Sequence, residues 1–330
     1  KTPRRFPKLD ETGAGPEPGN EPDRRGEPIL QVKNLTTRFT IRGGLLNRPV
    51  GNVHAVEDVS LELAAGETLA LVGESGCGKS TTGRSILQLV QPAGGEVLFE
   101  GRNLMSEGHA GLRLARQRLQ MIFQDPCGSL NPRQAVGSAI AEPIRVHGLL
   151  PDEDIPDRVT ELLRLVGLDE EHALRFPHEF SGGQRQRICI ARSLALEPRV
   201  IVADESVSAL DASIKAQVVN LMLDLQRELG LAYLFISHDI AVVERVSHRI
   251  AVMLLGEIVE IGPREAVLRN PQHPYTKKLI DAVPIPDPAE RRKRGGLLTD
   301  ELRSPVRPLG WERPPSRMYP VGDGHLVREF

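Results

Sequence analysis

A glycine-rich loop is the first part of the sequence whose residues suit a defined chemistry. The segment reads GESGCGKST and has the form G-x-x-x-x-G-K-S/T. Such glycines let backbone N–H groups wrap phosphate oxygens, while the lysine reaches the β- and γ-phosphates and the serine hydroxyl binds Mg²⁺. The pattern therefore predicts a site for a nucleoside triphosphate with Mg²⁺. Its predicted residues are Gly73, Glu74, Ser75, Gly76, Cys77, Gly78, Lys79, Ser80 and Thr81.

Two adjacent carboxylates end a hydrophobic segment further along the chain. RVIVADE has the composition of a buried strand and finishes with Asp204 and Glu205. Beside a phosphate loop, one such carboxylate can complete a Mg²⁺ shell and its neighbour can take a proton from an attacking water. We therefore predict that Asp204 binds Mg²⁺, directly or through water, and that Glu205 is the general base. Taken alone, the pair could equally be an ordinary polar strand end.

A second anion site is predicted at Ser181, Gly182 and Gly183, which open the segment SGGQRQR. A hydroxyl, open backbone donors and a helix dipole can together hold a phosphate. One nucleotide needs only one phosphate loop, so two such surfaces make sense if each faces a different nucleotide. SGGQ resembles the signature motif of ATP-binding-cassette (ABC) proteins, in which the signature of one subunit closes over ATP held by the other. The plain alternative is a glycine-containing helix start.

Further motifs that resemble those of the same family follow one another along the chain in the order that the family has. By resemblance, Gln124 in IFQDP is the Q-loop glutamine and binds Mg²⁺, Asp211 in SALD ends the D-loop, and His238 in LFISHD contacts the γ-phosphate. The resemblance implies that the cofactors are ATP and Mg²⁺. The catalytic residues that it implies are Lys79, Gln124, Glu205 and His238. The further nucleotide contacts that it implies are Gln124, Ser181, Gly182, Gly183, Gln184 and Asp211.

The family stacks an aromatic side chain from its early β region on the adenine, and the candidate here is Phe39 in TTRFT. Phe39 lies 40 residues before Lys79 (79 − 39), which is further than is usual in the family. RGGLLNRPVGN, between the two, has the composition of a loop insertion that accounts for the gap. The alternative role for Phe39 is in the hydrophobic core, and the sequence leaves both roles open.

The segments around these motifs predict the elements that position them. ILQVKNLTTRFT and VHAVEDVSLEL have the β-branched pattern of strands, and ETLALVG reads as a buried strand that ends at the glycine loop. SIKAQVVNLMLDLQREL predicts a helix, and LAYLFIS predicts the strand after it. Alternating strands and helices indicate a mostly parallel sheet covered by helices, with ligands at the carboxyl ends of its strands.

The predicted fold class is α/β, with a P-loop NTPase (RecA-like) core, an antiparallel β subdomain, an inserted α-helical subdomain and a C-terminal extension. Residues 1–28 are crowded with Pro, Gly, Glu and Arg and predict a flexible leader or linker. The ABC ATPase domain is predicted at 29–264, with the helical subdomain at about 113–190, where helical patterns dominate. The extension covers 265–330, and TKKLIDAV is its one predicted helix.

Composition and charge exclude several classes of protein. The formal net charge of −2 gives no global attraction to nucleic acid or anionic lipid. The longest apolar runs, such as Ile250–Leu255, fall far short of the roughly 20 residues that cross a bilayer. The three cysteines lie far apart and form no C-x-x-C pair, so neither a zinc site nor a disulfide framework is indicated. A reducing cytosol fits best.

The C-terminal motif favours transport over the other tasks of ABC proteins. NPQHPYT, at Asn270–Thr276, resembles the C-terminal extension of oligopeptide, dipeptide and nickel importer ATPases. The resemblance implies ATP hydrolysis that energises import of a dipeptide, an oligopeptide or glutathione. One alternative is a non-transport ABC ATPase that acts on nucleic acid or ribosomes, whose coiled coils or zinc modules are not visible here. Another is a P-loop kinase, which would not need SGGQ or His238.

The resemblance also implies partners and a place in the cell. We expect a second ABC cassette, two integral-membrane permease subunits and, indirectly, an extracytoplasmic solute-binding protein, but no nucleic acid. We expect a peripheral protein at the cytoplasmic face of the inner membrane. GGLLNRPVGNVHAVEDVS and VHGLLP resemble the second half of tandem glutathione-import ATPases, and such an origin would explain a chain that opens on Lys1. A lone cassette is the alternative.

Overall fold

The computed structural model describes residues 27–43, 47–282, 306–311, 313, 314 and 316–330. The predicted leader, 1–28, therefore lies almost entirely outside the described residues. None of the helices within these ranges combines the length and the apolar character that crossing a membrane requires.

The described residues form two sheets and several helices. The strands are β1 Leu30–Gly43, β2 Arg48–Leu63, β3 Thr68–Val72, β4 Gly94–Phe99, β5 Arg102–Asn103, β6 Leu119–Ile122, β7 Val200–Asp204, β8 Ala232–Ser237, β9 Arg249–Leu254, β10 Glu257–Pro263, β11 Val306–Arg307, β12 Met318–Gly322 and β13 His325–Arg328. The α-helices are α1 Lys79–Ile86, α2 His109–Arg118, α3 Pro126–Ser129, α4 Val136–His147, α5 Ile155–Leu165, α6 Gly182–Leu194, α7 Ala212–Leu229, α8 Ile240–Val246, α9 Arg264–Arg269 and α10 Pro274–Asp281. Short 3₁₀ helices cover Leu104–Ser106, Glu170–Leu174 and Pro177–Glu179.

The central sheet has the order β12-β13-β10-β9-β3-β8-β7-β6. The strands from β9 to β6 run parallel, and β10, β13 and β12 add an antiparallel edge. Every residue of β3, β7 and β8 is buried, as expected for parallel strands with both faces covered. The carboxyl ends of these three strands lie at one edge of the sheet, so the glycine loop, the Asp-Glu pair and His238 are brought to the same place.

The second sheet is antiparallel, with the order β11-β2-β1-β4-β5, and forms the predicted β subdomain. The sequence predicted that RGGLLNRPVGN is a loop insertion, and this prediction is wrong for much of the segment, which forms strands. Ile41 pairs with Gly51 and Gly43 with Arg48, so the β1–β2 hairpin continues beyond Phe39. Pro49 pairs with Arg42 beside a shift in the β1–β2 register and lies outside the residues of β2 that pair with β11, and such irregular or edge positions are where strands accept proline.

The helical block is interrupted where the sequence predicted it to be continuous. Leu119–Ile122, inside the predicted span of about 113–190, forms β6 and pairs in parallel with β7. A short apolar run of this kind cannot be assigned to a helix or a strand by periodicity alone, and burial in the central sheet decides the matter. Helices α3 to α6 follow β6, and Ile140, Leu163 and Ile188 are fully buried within this block.

The C-terminal region contains more structure than the single predicted helix. Helix α9 precedes the predicted helix, which the structure shows as α10, beginning at Pro274. Strand β11 is part of the second sheet, and β12 and β13 are part of the central sheet. Arg313 connects the sheets further: its Nε and Nη2 atoms donate to the Glu257 carboxylate at 2.8 and 2.9 Å, and Nη1 donates to Asp58 at 2.6 Å. The predicted helix is therefore present as α10, but the region also contains a further helix and strands that the sequence did not predict. The strands were missed because their pairing is set by contacts far apart in the chain.

Candidate nucleotide-binding site

The glycine loop connects β3 to α1, the strand-to-helix context that the motif needs. Gly73, Gly76 and Gly78 have φ values of 152°, 81° and 110°. A Cβ atom at Gly73 would lie 2.2 Å from the Met253 carbonyl oxygen, and one at Gly78 would lie 2.1 Å from that of Ala55. Glycine is therefore required at these two positions both for backbone conformation and for space.

Lys79 begins α1, and its side chain folds back over the loop. Its Nζ atom donates to the carbonyl oxygens of Gly73 and Glu74, each at 2.8 Å. An ammonium group has three protons, and the third has only a long contact, of 3.9 Å, with Cys77 Sγ, so it can turn to a phosphate oxygen. Burial raises the pKa of this thiol. Cys77 is therefore a buried thiol within the loop.

Asp204 and Ser80 form the candidate Mg²⁺ site. Ser80 Oγ donates to Asp204 Oδ1 at 2.7 Å, and Asp204 is fully buried. Burial raises the pKa of Asp204, against the opposing effect of the Ser80 hydrogen bond. Its Oδ2 atom is buried without a hydrogen-bond partner among the described residues, and Arg84 Nη2 is 4.0 Å away. An unsatisfied carboxylate oxygen beside a hydroxyl fits the oxygen ligands that Mg²⁺ prefers.

Glu205 contacts two of the other predicted catalytic residues. Gln124 Nε2 donates to Glu205 Oε2 at 2.9 Å, and His238 Nδ1 lies 3.5 Å from Glu205 Oε1. The Glu205 side chain is 12% exposed, whereas that of His238 is 53% exposed. The structure thus brings a nearly buried carboxylate, an amide and an accessible imidazole into one cluster at the sheet edge.

The backbone of Glu205 separates its side chain from that of Asp204. Glu205 has a φ of 45°, which few residues other than glycine adopt. Its N–H donates to the Ile236 carbonyl at 3.0 Å, and its own carbonyl accepts from Ser208 N at 3.1 Å and Ser208 Oγ at 2.9 Å. This turn lets adjacent carboxylates have different partners: Asp204 contacts Ser80, and Glu205 contacts Gln124.

The predicted signature forms the N-terminus of α6. Ser181 Oγ accepts from Gln184 N at 3.3 Å, and Gln184 Oε1 accepts from Ser181 N at 3.0 Å, which is a capping box. The hydroxyl proton of Ser181 is not used in this box. A Cβ atom at Gly183 would lie 2.2 Å from Ile214 Cγ2, so this glycine also permits close packing of α6 on α7.

The signature and the D-loop are neighbours. A Cβ atom at Gly182 would lie 3.6 Å from Leu210 Cδ2, and Asp211, the next residue, is the N-cap of α7. Within the described part of the chain, no hydrogen bond joins Ser181, Gly182 or Gly183 to the glycine loop. Within these residues, the two predicted phosphate-binding surfaces are thus not joined by a direct hydrogen bond.

Phe39 is 43% exposed and is not a core residue. It pairs with Val53 in the β1–β2 hairpin, two residues from Ala55, whose carbonyl approaches Gly78. This places Phe39 on an accessible strand near the glycine loop. Its role in adenine stacking stays a prediction.

Tyr275 is a contact of the glycine loop that the sequence did not reveal. Its hydroxyl accepts a hydrogen bond from Glu74 N at 3.0 Å, and burial raises its pKa to about 12. From the sequence, the motif NPQHPYT indicated only a resemblance to importer ATPases, and it predicted no contact between Tyr275 and the glycine loop. The one local signal is a tyrosine in the first turn of an amphipathic helix, which is more often a sign of core packing.

The combination of a phosphate loop after a central parallel strand, a carboxylate pair on a nearby strand and a separate SGGQ helix start defines an ABC-type P-loop ATPase. The family model described as ABC transporter matches residues 56–208, and the one described as Oligopeptide/dipeptide transporter, C-terminal region, matches 259–306. The chain belongs to the ABC transporter ATPases, and within them to the group that carries this oligopeptide/dipeptide C-terminal region.

Curated relatives agree with this assignment. The glutathione import ATP-binding protein GsiA of Escherichia coli K12 is 58% identical to this chain and aligns with 99% of it, but with 53% of the relative. The protein of the same name from Shigella flexneri gives the same identity and coverage. The chain spans about half the length of the curated relatives it matches.

Solved structures confirm the predicted fold class. The cbiO1 structure from Clostridium perfringens, described as part of the ABC transporter complex cbiONQ, has a TM-score of 0.64 and 26% identity, covering 74% of this chain and 92% of its own. The dimeric post-hydrolysis structure of the ATP-binding cassette MJ0796 with ADP and Pi has a TM-score of 0.63 and 28% identity, covering 72% and 99%.

Proposed function

We propose that this chain is an ATP-hydrolysing subunit that energises import of short peptides through a separate membrane permease. The observation that carries hydrolysis is the Glu205 carboxylate, held by Gln124 at 2.9 Å beside His238 at the sheet edge that also holds the glycine loop. Import is supported by the C-terminal match at 259–306 and by the names of the relatives, which are glutathione import ATP-binding proteins. Of the three candidate cargoes, which are dipeptides, oligopeptides and glutathione, those names favour glutathione.

The glycine loop holds the phosphates of ATP in this proposal. Its backbone N–H groups and the N-terminus of α1 face the phosphate oxygens, and the third proton of the Lys79 ammonium binds a β- or γ-oxygen. Ser80 and Asp204 would hold Mg²⁺, with the Gln124 side-chain oxygen as a further ligand. Bound there, Mg²⁺ would neutralise charge that develops on the transferred phosphoryl group.

Glu205 takes the proton of the attacking water. Gln124 donates to its Oε2, so Oε1 is the oxygen that accepts this proton. His238 lies beside Oε1 and orients the water against the γ-phosphate. The low exposure of Glu205 keeps bulk water away from the base.

Two cassettes complete the ATP sites in a head-to-tail dimer. Ser181, Gly182 and Gly183 of one cassette, with Gln184 and Asp211, close over ATP held in the glycine loop of the other. The spare hydroxyl proton of Ser181, which its capping box does not use, supports this arrangement. Phe39 stacks on the adenine. The closed pair acts on two permease subunits at the cytoplasmic face of the membrane, and a solute-binding protein outside selects the cargo.

Transport by the co-expressed system tests this function. Permease subunits should co-purify with the chain, and inverted vesicles or proteoliposomes that contain the assembly should move radiolabelled glutathione or a labelled dipeptide only with ATP and Mg²⁺. Co-purification with RNA or DNA in place of the permease, and no ATP-dependent uptake, would instead support the non-transport alternative.

A further inference from the structure

One peptide plane of the glycine loop is held on both of its edges. The N–H of Glu74 donates to Tyr275 Oη at 3.0 Å, and the carbonyl of Gly73 accepts from Lys79 Nζ at 2.8 Å. These two groups belong to the same rigid peptide unit. The tyrosine hydroxyl and the lysine ammonium therefore fix opposite edges of one plane.

The loop itself supplies little resistance to rotation of this plane. Gly73 has a φ of 152° and no Cβ atom, so it permits backbone rotations that other residues would restrict. Rotation would withdraw the Gly73 carbonyl from Lys79 Nζ. The bond from Tyr275 opposes this rotation, and by polarising the amide it makes the Gly73 carbonyl a stronger acceptor for the ammonium.

Tyr275 is itself held firmly by the C-terminal region. It is 9% exposed, and its own N–H donates to His273 Nδ1 at 3.1 Å, which caps α10. The backbone N–H groups of Gln272 and His273 donate to the two oxygens of Glu260 at 2.8 and 2.9 Å. Glu260 is fully buried on β10. The turn that presents Tyr275 is thus fixed to the central sheet.

We propose that Tyr275 is a positioning residue for ATP binding. Its hydroxyl holds the Gly73–Glu74 peptide so that the Lys79 ammonium lies where it meets the phosphates. The C-terminal region then has a direct effect on the nucleotide site of its own cassette. This inference rests on the proposed function, in which the glycine loop binds ATP.

The variant Tyr275→Phe tests the bond alone, because it keeps the buried ring and removes only the acceptor oxygen. We expect the Kd of the full chain for a fluorescent ATP analogue to rise roughly three- to tenfold, the effect of one neutral hydrogen bond. In steady-state hydrolysis, KM should rise by a similar factor, with a smaller change in kcat. The melting temperature without nucleotide should stay close to that of the wild type.

Thr276→Val is the matched control. Thr276 is fully buried on the same helix, and its Oγ1 atom has no hydrogen-bond partner in the described part of the chain. This variant removes a neighbouring hydroxyl at nearly constant volume. We expect it to leave the Kd for the ATP analogue unchanged.

A double-mutant cycle with Lys79→Met separates positioning from a general structural effect. The rise in Kd caused by Tyr275→Phe should disappear in the Lys79→Met background, because the proposed effect passes through the ammonium. An unchanged Kd for Tyr275→Phe, or an equal rise with and without Lys79, would overturn the inference alone. Failure of the wild type to bind the analogue would overturn the proposed function, and this inference with it.

Discussion

The amide of Gln124 donates to the carboxylate of Glu205 at 2.9 Å across an interval of 81 residues. Gln124 lies between β6 and the helical block, whereas Glu205 follows β7 in the core. A displacement of the helical block against the core therefore changes the surroundings of the predicted general base. We infer that the same contact that orients Glu205 transmits closure between the block and the hydrolytic site.

The variant Gln124→Glu should slow hydrolysis. It replaces the amide that donates to Glu205 Oε2 at 2.9 Å with a second carboxylate, so Glu205 loses the donor that orients it and gains a like charge beside it. We expect kcat to fall at least about tenfold in a phosphate-release assay. Gln134→Glu is the control, since it adds the same charge beside Glu142 rather than Glu205. A kcat equal to that of the wild type would contradict the contact's role.

The variant Asp204→Asn should stabilise the fold while it abolishes Mg²⁺-dependent hydrolysis. Burial raises the pKa of Asp204 in the folded state, so the folded state carries a penalty for ionisation that grows as the pH rises from the unfolded to the folded pKa and stays constant above it. The neutral amide removes this penalty and can still accept from Ser80. We expect a gain of roughly 1 kcal/mol in the free energy of unfolding at pH 7 without Mg²⁺. Denaturant titration measures it, and a loss of stability would contradict the prediction.

The variant Gly183→Ala should destabilise the junction of α6 and α7. The added methyl would lie 2.2 Å from Ile214 Cγ2, whereas Gly182→Ala places its methyl in ordinary contact at 3.6 Å from Leu210. We expect a cost of about 1–3 kcal/mol for Gly183→Ala, measured by chemical unfolding, and much less for Gly182→Ala. In an Ile214→Ala background, which has its own cost, the added Gly183→Ala should cost much less than it does in the wild type. An equal cost in both backgrounds would show that the clash is not its cause.

The variant Glu260→Gln should loosen the turn before Tyr275. The two oxygens of its carboxylate accept from Gln272 N and His273 N, and one of them also lies 2.8 Å from His325 Nε2. An amide has only one acceptor oxygen, so in the variant its NH2 group would face at least one of the two backbone N–H donors. We expect a loss of about 1–3 kcal/mol in unfolding free energy, with weaker ATP binding. The surface variant Glu265→Gln, at a side chain 55% exposed, should change neither quantity.

The position of the candidate site was predictable from the sequence where its residues lie at the end of a regular element. Asp204 ends β7, and the glycine loop, Glu205 and His238 follow buried strands whose carboxyl ends lie together in a parallel sheet. The contact of Tyr275 with Glu74 was not predictable, because 201 residues separate them and no local pattern encodes their approach. The strand β6 was missed for a related reason: its register with β7 is set by burial in a sheet, not by its own periodicity.

Nucleotide-dependent association of the Glu205→Gln variant tests the central claim most directly. The chain, with and without the substitution, would be incubated with ATP and Mg²⁺, and phosphate release and molar mass by light scattering would be measured on the same samples. We predict that the variant binds ATP, accumulates as a stable ATP-bound dimer and hydrolyses at least about 100-fold more slowly than the wild type, the lower end of the contribution of a general base. Wild-type turnover by a monomeric Glu205→Gln chain would contradict both the base assignment and the composite site.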